Sequence, residues 1–357
     1  MDNTVIISTP PHVKSRRTTK MIMLDVIIAL LPCTVMGIVY YRLDAFITII
    51  TSVLAAVICE FIYYFIAKGG FARKCKDAKQ VCKDFLHQFD FTSIVTGLIL
   101  ALIVPSSVHF YEVLLGSAFS IIIVKMLFGG TGKNLVNPAA TGRVFMLLCF
   151  SATMGGIVTN AVGAVVDNGV INTSATVLTD LIGDAGTTNA SFLDIFLGTG
   201  ITGSIGETCK LAIIVGGVYL IIRKVIKWWQ PVLYIGVTFV ITWMLYGFNG
   251  LTALDITFSG GLFFGAVFMA TDYVTSPKSR MGQIIYYIIL GVLTSLLRYF
   301  THVEVVSFVI MICNIITHLL DRYCIPHPFG YVKEKKVKAP KAEKAAAKDA
   351  GTKEATK

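Results

Sequence analysis

Apolar residues run along the chain in ten blocks, at about 21–40, 43–67, 91–105, 107–129, 143–159, 210–226, 231–248, 257–271, 281–298 and 304–320. A helix needs about 20 mainly apolar residues to cross a hydrocarbon core ~30 Å thick. The blocks therefore predict an all-α integral membrane protein with about ten transmembrane helices. Residues 1–20 precede the first block, 21–325 hold the membrane domain, and 326–357 form a tail.

The cations orient the blocks, because Lys and Arg concentrate on the cytoplasmic side. With the N-terminus cytoplasmic, 28 of the 31 Lys and Arg fall inside, and only Arg42, Lys210 and Arg298 fall outside. Without the nine tail lysines the split is still 19 to 3. Both termini are expected in the cytoplasm. Lys125 is expected to snorkel from the inner end of its span. The 66 residues between Arg143 and Lys210 carry no Lys or Arg, which predicts an outer loop over about 160–209.

Five blocks precede that loop and five follow it in the opposite sense. This is the condition for two inverted five-helix halves, about 21–159 and 210–325. The third block of each half is short and marked by Gly and Pro: "FTSIVTGLILALIVPSS" and "ITFSGGLFFGAVFMATDYVTSP". About 15 helical residues reach only ~22 Å, so both are expected as short broken helices lining an internal site.

Composition agrees with lipid. The chain is 55% hydrophobic and 15% charged, with a mean hydropathy of +0.74. The net charge of +10 does not imply nucleic acid, because much of it lies in the Lys/Ala-rich tail, whose composition is that of a disordered, solvated extension. The first 20 residues lack a cleavable-signal pattern. The eight cysteines form no CxxC and no metal-ligand spacing, and no metal is expected. "GGTGKN" lacks P-loop spacing.

Acids within apolar blocks are costly and mark function by default. Asp25, Glu60, Glu112 and Asp272 lie in or near such blocks, and Asp25 and Asp272 are the candidates for an ion pathway. Asp272 sits in "ATDYVTSP", where Thr271, Thr275 and Ser276 offer oxygen ligands that suit a hard cation. The alternative is pairing of Asp272 with Lys278 or Arg280. "GKNLVNPAATGR" reads as an inner loop with Asn134, Asn137 and Arg143 as donors. "GSIGETCK" reads as a Gly/Ser loop, with Gly203, Ser204 and Glu207, opening the sixth span.

"GKNLVNPAATGRVF", "GSIGET", "ATDYVTSP" and the hydroxyl-rich "TSAT" occur together among the ten blocks. The set resembles the D-type membrane component of the Rnf electron-transport complex and its relative, the B-type component of the sodium-pumping NADH:quinone reductase. The resemblance covers about residues 15–325. It implies FMN held covalently by a phosphoester to the threonine of an S/T-G-A-T-like motif, attached on the outer side by a separate flavin transferase. In this chain that threonine is Thr176, preceded by Thr173, Ser174 and Ala175. The family glycine is Ser174 here. An acid often found six positions upstream is replaced by Val170, with Asp167 the nearest preceding acid. A free hydroxyl among small neighbours on an outer loop suits attachment.

The resemblance further implies a subunit of a ferredoxin:NAD oxidoreductase in the bacterial cytoplasmic membrane that couples electron transfer to Na⁺ or H⁺ movement. Its partners would be the other subunits of the complex, and a non-covalent riboflavin would be a second cofactor. The electrons would pass through the flavin, with no complete active site in this chain alone. Two other classes remain open on the residues: a solute transporter or channel with an inverted-repeat fold, and a scaffold without cofactor. Neither needs "TSAT" on a cation-free outer loop.

Overall fold

Helix α1 (Thr19–Ala67) spans the first two apolar blocks. As one rod its 49 residues would measure ~74 Å, more than twice a bilayer core. It is not one rod. Arg42, with φ 52° and ψ −125°, breaks the helical geometry in the gap between the two blocks. The computed structural model describes residues 17–67, 78–154, 192–199, 203–301 and 303–324. The expected N-terminal segment, most of the outer loop with Thr173, Ser174, Ala175 and Thr176, and the tail lie outside the described residues.

Among the described residues every regular element is helical, and each of the ten apolar blocks is at least partly helix. After α1 come α2 (Ala78–Gln88), α3 (Thr92–Ile103), α4 (Phe110–Ala118, continued by the π-helical turns Phe119–Met126), α5 (Pro138–Cys149), α6 (Ser151–Met154) and α7 (Phe192–Leu197). The second set is α8 (Lys210–Ile222), α9 (Trp229–Leu245), α10 (Gly250–Phe258), α11 (Leu262–Phe264, continued by the π-helical Gly265–Met269), α12 (Arg280–Thr301) and α13 (Val306–Tyr323). By length and apolarity alone three helices suffice to cross a membrane, or five when each bent pair is one span.

A break is expected within the third block of each set; the second bends there, but the first bends just ahead of its block. Gln80–Gln88 meets Thr92–Ile103 at 66°, and Gly250–Phe258 meets Leu262–Met269 at 65°. The far end of each pair abuts a loop that opens a helix of the other set. Gly206 N–H donates to Leu102 O at 2.7 Å and Ile205 N–H to Val104 O at 3.2 Å, satisfying carbonyls at the end of α3. Asn137 Nδ2 donates to Met269 O at 3.2 Å at the end of the second pair. Small residues allow close packing, as expected in lipid. A side chain at Gly97 of α3 would lie 2.9 Å from Ser52 O of α1, and Ser52 Oγ donates to Gly97 O at 2.7 Å.

Two expectations change. The "GKNLVNPAATGR" loop ends at Asn137, and the fifth block begins helically at Pro138 rather than 143. Asn137 Oδ1 accepts from Ala139 N–H at 3.0 Å and Ala140 N–H at 3.3 Å, and proline suits the first helical position. Arg143 is therefore a helical residue. Lys125 does not snorkel: it is 1% exposed, and Nζ donates to Glu60 Oε1 at 2.7 Å, Thr92 Oγ1 at 2.7 Å and Ser93 Oγ at 2.9 Å. With all three N–H groups satisfied inside the protein, the amine gains nothing by reaching for water.

Candidate functional site

Most of the sequence-predicted site residues that the structure describes fall in two places. The first is a cavity of about 110 Å³ between the two sets of helices. Its walls are apolar residues of α1, α3, α8 and the second bent pair. Its polar lining includes Thr92, Thr96, Asn134, Asn137, Thr271 and Asp272.

Asp272 is half-buried on this wall. Its carboxylate accepts from Thr275 Oγ1 at 3.1 Å and Val274 N–H at 3.4 Å. Among the described residues no cation stands within ion-pair distance of it. Lys278 instead presents its backbone N–H to Asp321 Oδ1 at 2.9 Å. Asn134 Oδ1 is buried without a hydrogen-bond partner. The cavity, also lined by the paired amine of Lys125, thus offers one unfilled acceptor and one carboxylate without a cationic partner, a setting for a cation or for a ligand bearing N–H and O–H groups.

The second place is a charged cluster. Arg143 on α5 pairs with Glu207 at 2.9 Å and reaches Ser204 Oγ and Ser307 Oγ at 3.4 Å each. Lys210 Nζ donates to Glu207 O and, at 2.9 Å, to Gly260 O. Arg298 near the end of α12 pairs with Glu304 at 2.7 Å. Lys210, Glu207 and Arg298 are all buried. The structure brings Arg143, Ser204 and Glu207 together, and sets Asn134 and Asn137 apart from them at the cavity. Gly203 takes a separate part, accepting from Tyr41 Oη at 2.9 Å.

Asp25 is neither in the cavity wall nor in the cluster. It accepts from Arg223 Nε at 3.0 Å and Tyr219 Oη at 3.2 Å. Glu112 caps its own helix, accepting from His109 N–H at 3.2 Å. Sequence reasoning missed Lys210, Arg298 and Glu304 as members of a site. The first two did leave a signal: they are two of the three cations on the wrong side of the charge split.

A family model described as the NQR2, RnfD, RnfE family matches residues 6–330. The D component of the proton-translocating ferredoxin:NAD(+) oxidoreductase complex of Clostridium ljungdahlii is 34% identical over 340 residues, covering 92% of this chain and 97% of that one. The D component of the Na(+)-translocating ferredoxin:NAD(+) oxidoreductase complex of Acetobacterium woodii is 34% identical over 334 residues, covering 92% and 96%. The B component of the Na(+)-translocating NADH-quinone reductase of Ectopseudomonas mendocina is 33% identical over 253 residues, covering 67% and 61%.

Proposed function

The chain belongs to the NQR2, RnfD, RnfE family, and on that premise we propose that it is the D-type membrane subunit of an ion-translocating ferredoxin:NAD oxidoreductase. It carries FMN on Thr176 and relays electrons within the complex while Na⁺ or H⁺ crosses. The observation that carries this reading is the near full-length similarity to two proteins named as the D component of such complexes, together with "TSAT" at 173–176.

In this reading the ten helical blocks are ten spans in two inverted halves. Both termini are cytoplasmic, and the loop with Thr176 is outside, where the flavin transferase works. The charge split supports that orientation, and the two bent pairs, third in each set, support the inverted halves.

FMN, when bound, accepts and gives electrons one or two at a time; the protein supplies position, electrostatics and exclusion of water. The residues that follow the flavin loop suit an anionic cofactor. Ser204, Glu207 and Lys210 sit in a cluster with a surplus of cations. Asn134 Oδ1 is an unfilled acceptor beside threonine hydroxyls, but at about 110 Å³ the cavity is smaller than a flavin requires, so a second, non-covalent riboflavin would have to widen it. Asp272, without a cationic partner among the described residues, is the ion-handling carboxylate on the same wall. Asp25 is held by Arg223 and serves the fold.

The test is in-gel flavin fluorescence of the denatured chain. Wild type fluoresces, and Thr176→Ala loses the signal while still inserting in the membrane. A variant as bright as wild type moves the flavin off Thr176. A dark wild-type band removes the flavin and leaves the carrier reading that broken helices also allow.

A further inference from the structure

The break in the second bent pair is held by charged side chains. Between α10 and α11 the chain turns at Ser259, Gly260 and Gly261, and backbone groups freed there are taken up from elsewhere in the protein. Lys210 Nζ donates to Gly260 O at 2.9 Å, Gly261 N–H donates to Glu304 Oε2 at 3.0 Å, and Arg298 Nη1 donates to Ile256 O at 3.3 Å. Glu304 and Glu207 occupy the space that side chains at Gly260 and Gly261 would need.

These bonds account for the fold of the turn but not for its charge. Three cations, Arg143, Lys210 and Arg298, face two carboxylates, Glu207 and Glu304, so one positive charge is in excess among the described residues. The other titratable groups alongside include Cys209, Tyr41, Tyr234 and Tyr246, a thiol and three phenols that add no carboxylate or amine to the cluster. An uncompensated charge in such a setting is costly. A second observation points the same way. Arg298 is 2% exposed, and its Nε–H has no acceptor, although buried donors are almost always paired.

We propose that this cluster is a site for one negative charge, borne by an oxyanion that accepts from Arg298 Nε. Two sources share that chemistry. One is the FMN on Thr176, and this source rests on the flavin reading above; Ser204, Glu207 and Lys210 follow Thr176 in sequence, after α7. The other is a free anion such as inorganic phosphate.

Two substitutions in the full chain, purified in detergent with its flavin, change the charge in opposite senses. Lys210→Met makes the cluster neutral, and Glu207→Gln leaves it with two excess positive charges. With a flavin oxyanion at the site, the flavin midpoint potential falls in the first and rises in the second. A purely structural role would lower the stability of both and leave both potentials at the wild-type value. With a free anion at the site, the potentials stay put, inorganic phosphate raises the melting temperature of wild type, and Lys210→Met abolishes that rise. Unmoved potentials together with no phosphate effect overturn the proposal. If Lys210→Met does not fold, Arg143→Gln, which also removes one cation, takes its place in both arms. If the wild-type band carries no flavin, the flavin reading fails by itself and the phosphate arm alone decides.

Discussion

Glu60→Gln and Lys125→Met test whether the buried amine of the fourth block is held by its partner or by the shape of its pocket. Lys125 is 1% exposed and Glu60 13%. The amine gives its three N–H groups to Glu60, Thr92 and Ser93. Glu60→Gln keeps the shape and one oxygen acceptor but strands a full charge in the interior. Breaking a buried pair from one side costs about 3–5 kcal/mol, because the remaining charge is uncompensated. At about 2 °C per kcal/mol for a large domain, the melting temperature in detergent should fall by about 6 °C or more. Lys125→Met removes the buried charge and leaves Glu60, which is partly exposed and accepts from Ser93. Its cost should be roughly half as large. The double variant removes both charges and should return to within about 1 kcal/mol of wild type, since an apolar replacement of a buried pair is often neutral. Melting curves of the four proteins close a double-mutant cycle. If the two single losses simply add in the double variant, the pair has no coupling and the account of Lys125 is wrong.

Three further outcomes follow from the same geometry. In a cysteine-free background, a cysteine placed at 165 should be labelled from outside by an impermeant thiol reagent, and one at 78 only after permeabilisation; the reverse pattern would invert the topology. Asp272→Asn should keep the flavin fluorescence of the chain but lower the number of ions moved per electron in the assembled complex, and a normal ratio would make Asp272 a turn-former that merely holds Thr275. Asp25→Asn should weaken the bond to Arg223 and lower the melting temperature only slightly, because the guanidinium is half exposed, with the ion-to-electron ratio unchanged; a lowered ratio would return Asp25 to the ion pathway.

The blocks were legible because a bilayer imposes length and apolarity on each segment separately. The breaks were partly legible. Gly260 and Gly261 mark the second bend, and Arg42 falls in a gap between apolar blocks, but the first bend lies at 89–91, ahead of the block that was expected to break. The start of α5 was misplaced because Arg143 looked like a loop cation. Asn137 and Pro138, a cap and a first-turn proline, were the better signal. Long-range pairing was not legible. Glu60 and Lys125 are 65 residues apart, and Arg143 and Glu207 are 64 apart, and no local pattern says which partner a buried charge will find. The proposal of Thr176 rests on the resemblance alone, since threonine among small residues has no chemistry of its own.

The two strongest exceptions to the charge split now have a physical reason. The charge split puts Arg298 and Lys210 on the side expected to lack cations, yet neither faces a loop: both are buried and bonded to the break of the second bent pair. Loop cations are sorted by the membrane, whereas a cation consumed within the protein is sorted by the backbone it serves. The first half has a counterpart. Lys125, near the C-terminal end of the fourth segment, bonds Thr92 and Ser93 where α3 begins after its own break. Arg298, near the end of the fourth segment of the second set, bonds Ile256 O where α10 ends and, through Glu304, the N–H of Gly261. Each bent pair is thus clamped by a buried cation from the same position in its set. If the halves are inverted as proposed, one such cation would lie toward each face of the membrane, and an arginine on the side expected to lack cations would follow from that symmetry. The third exception, Arg42, is exposed at the break in α1, where its left-handed backbone ends one apolar helix and begins the next.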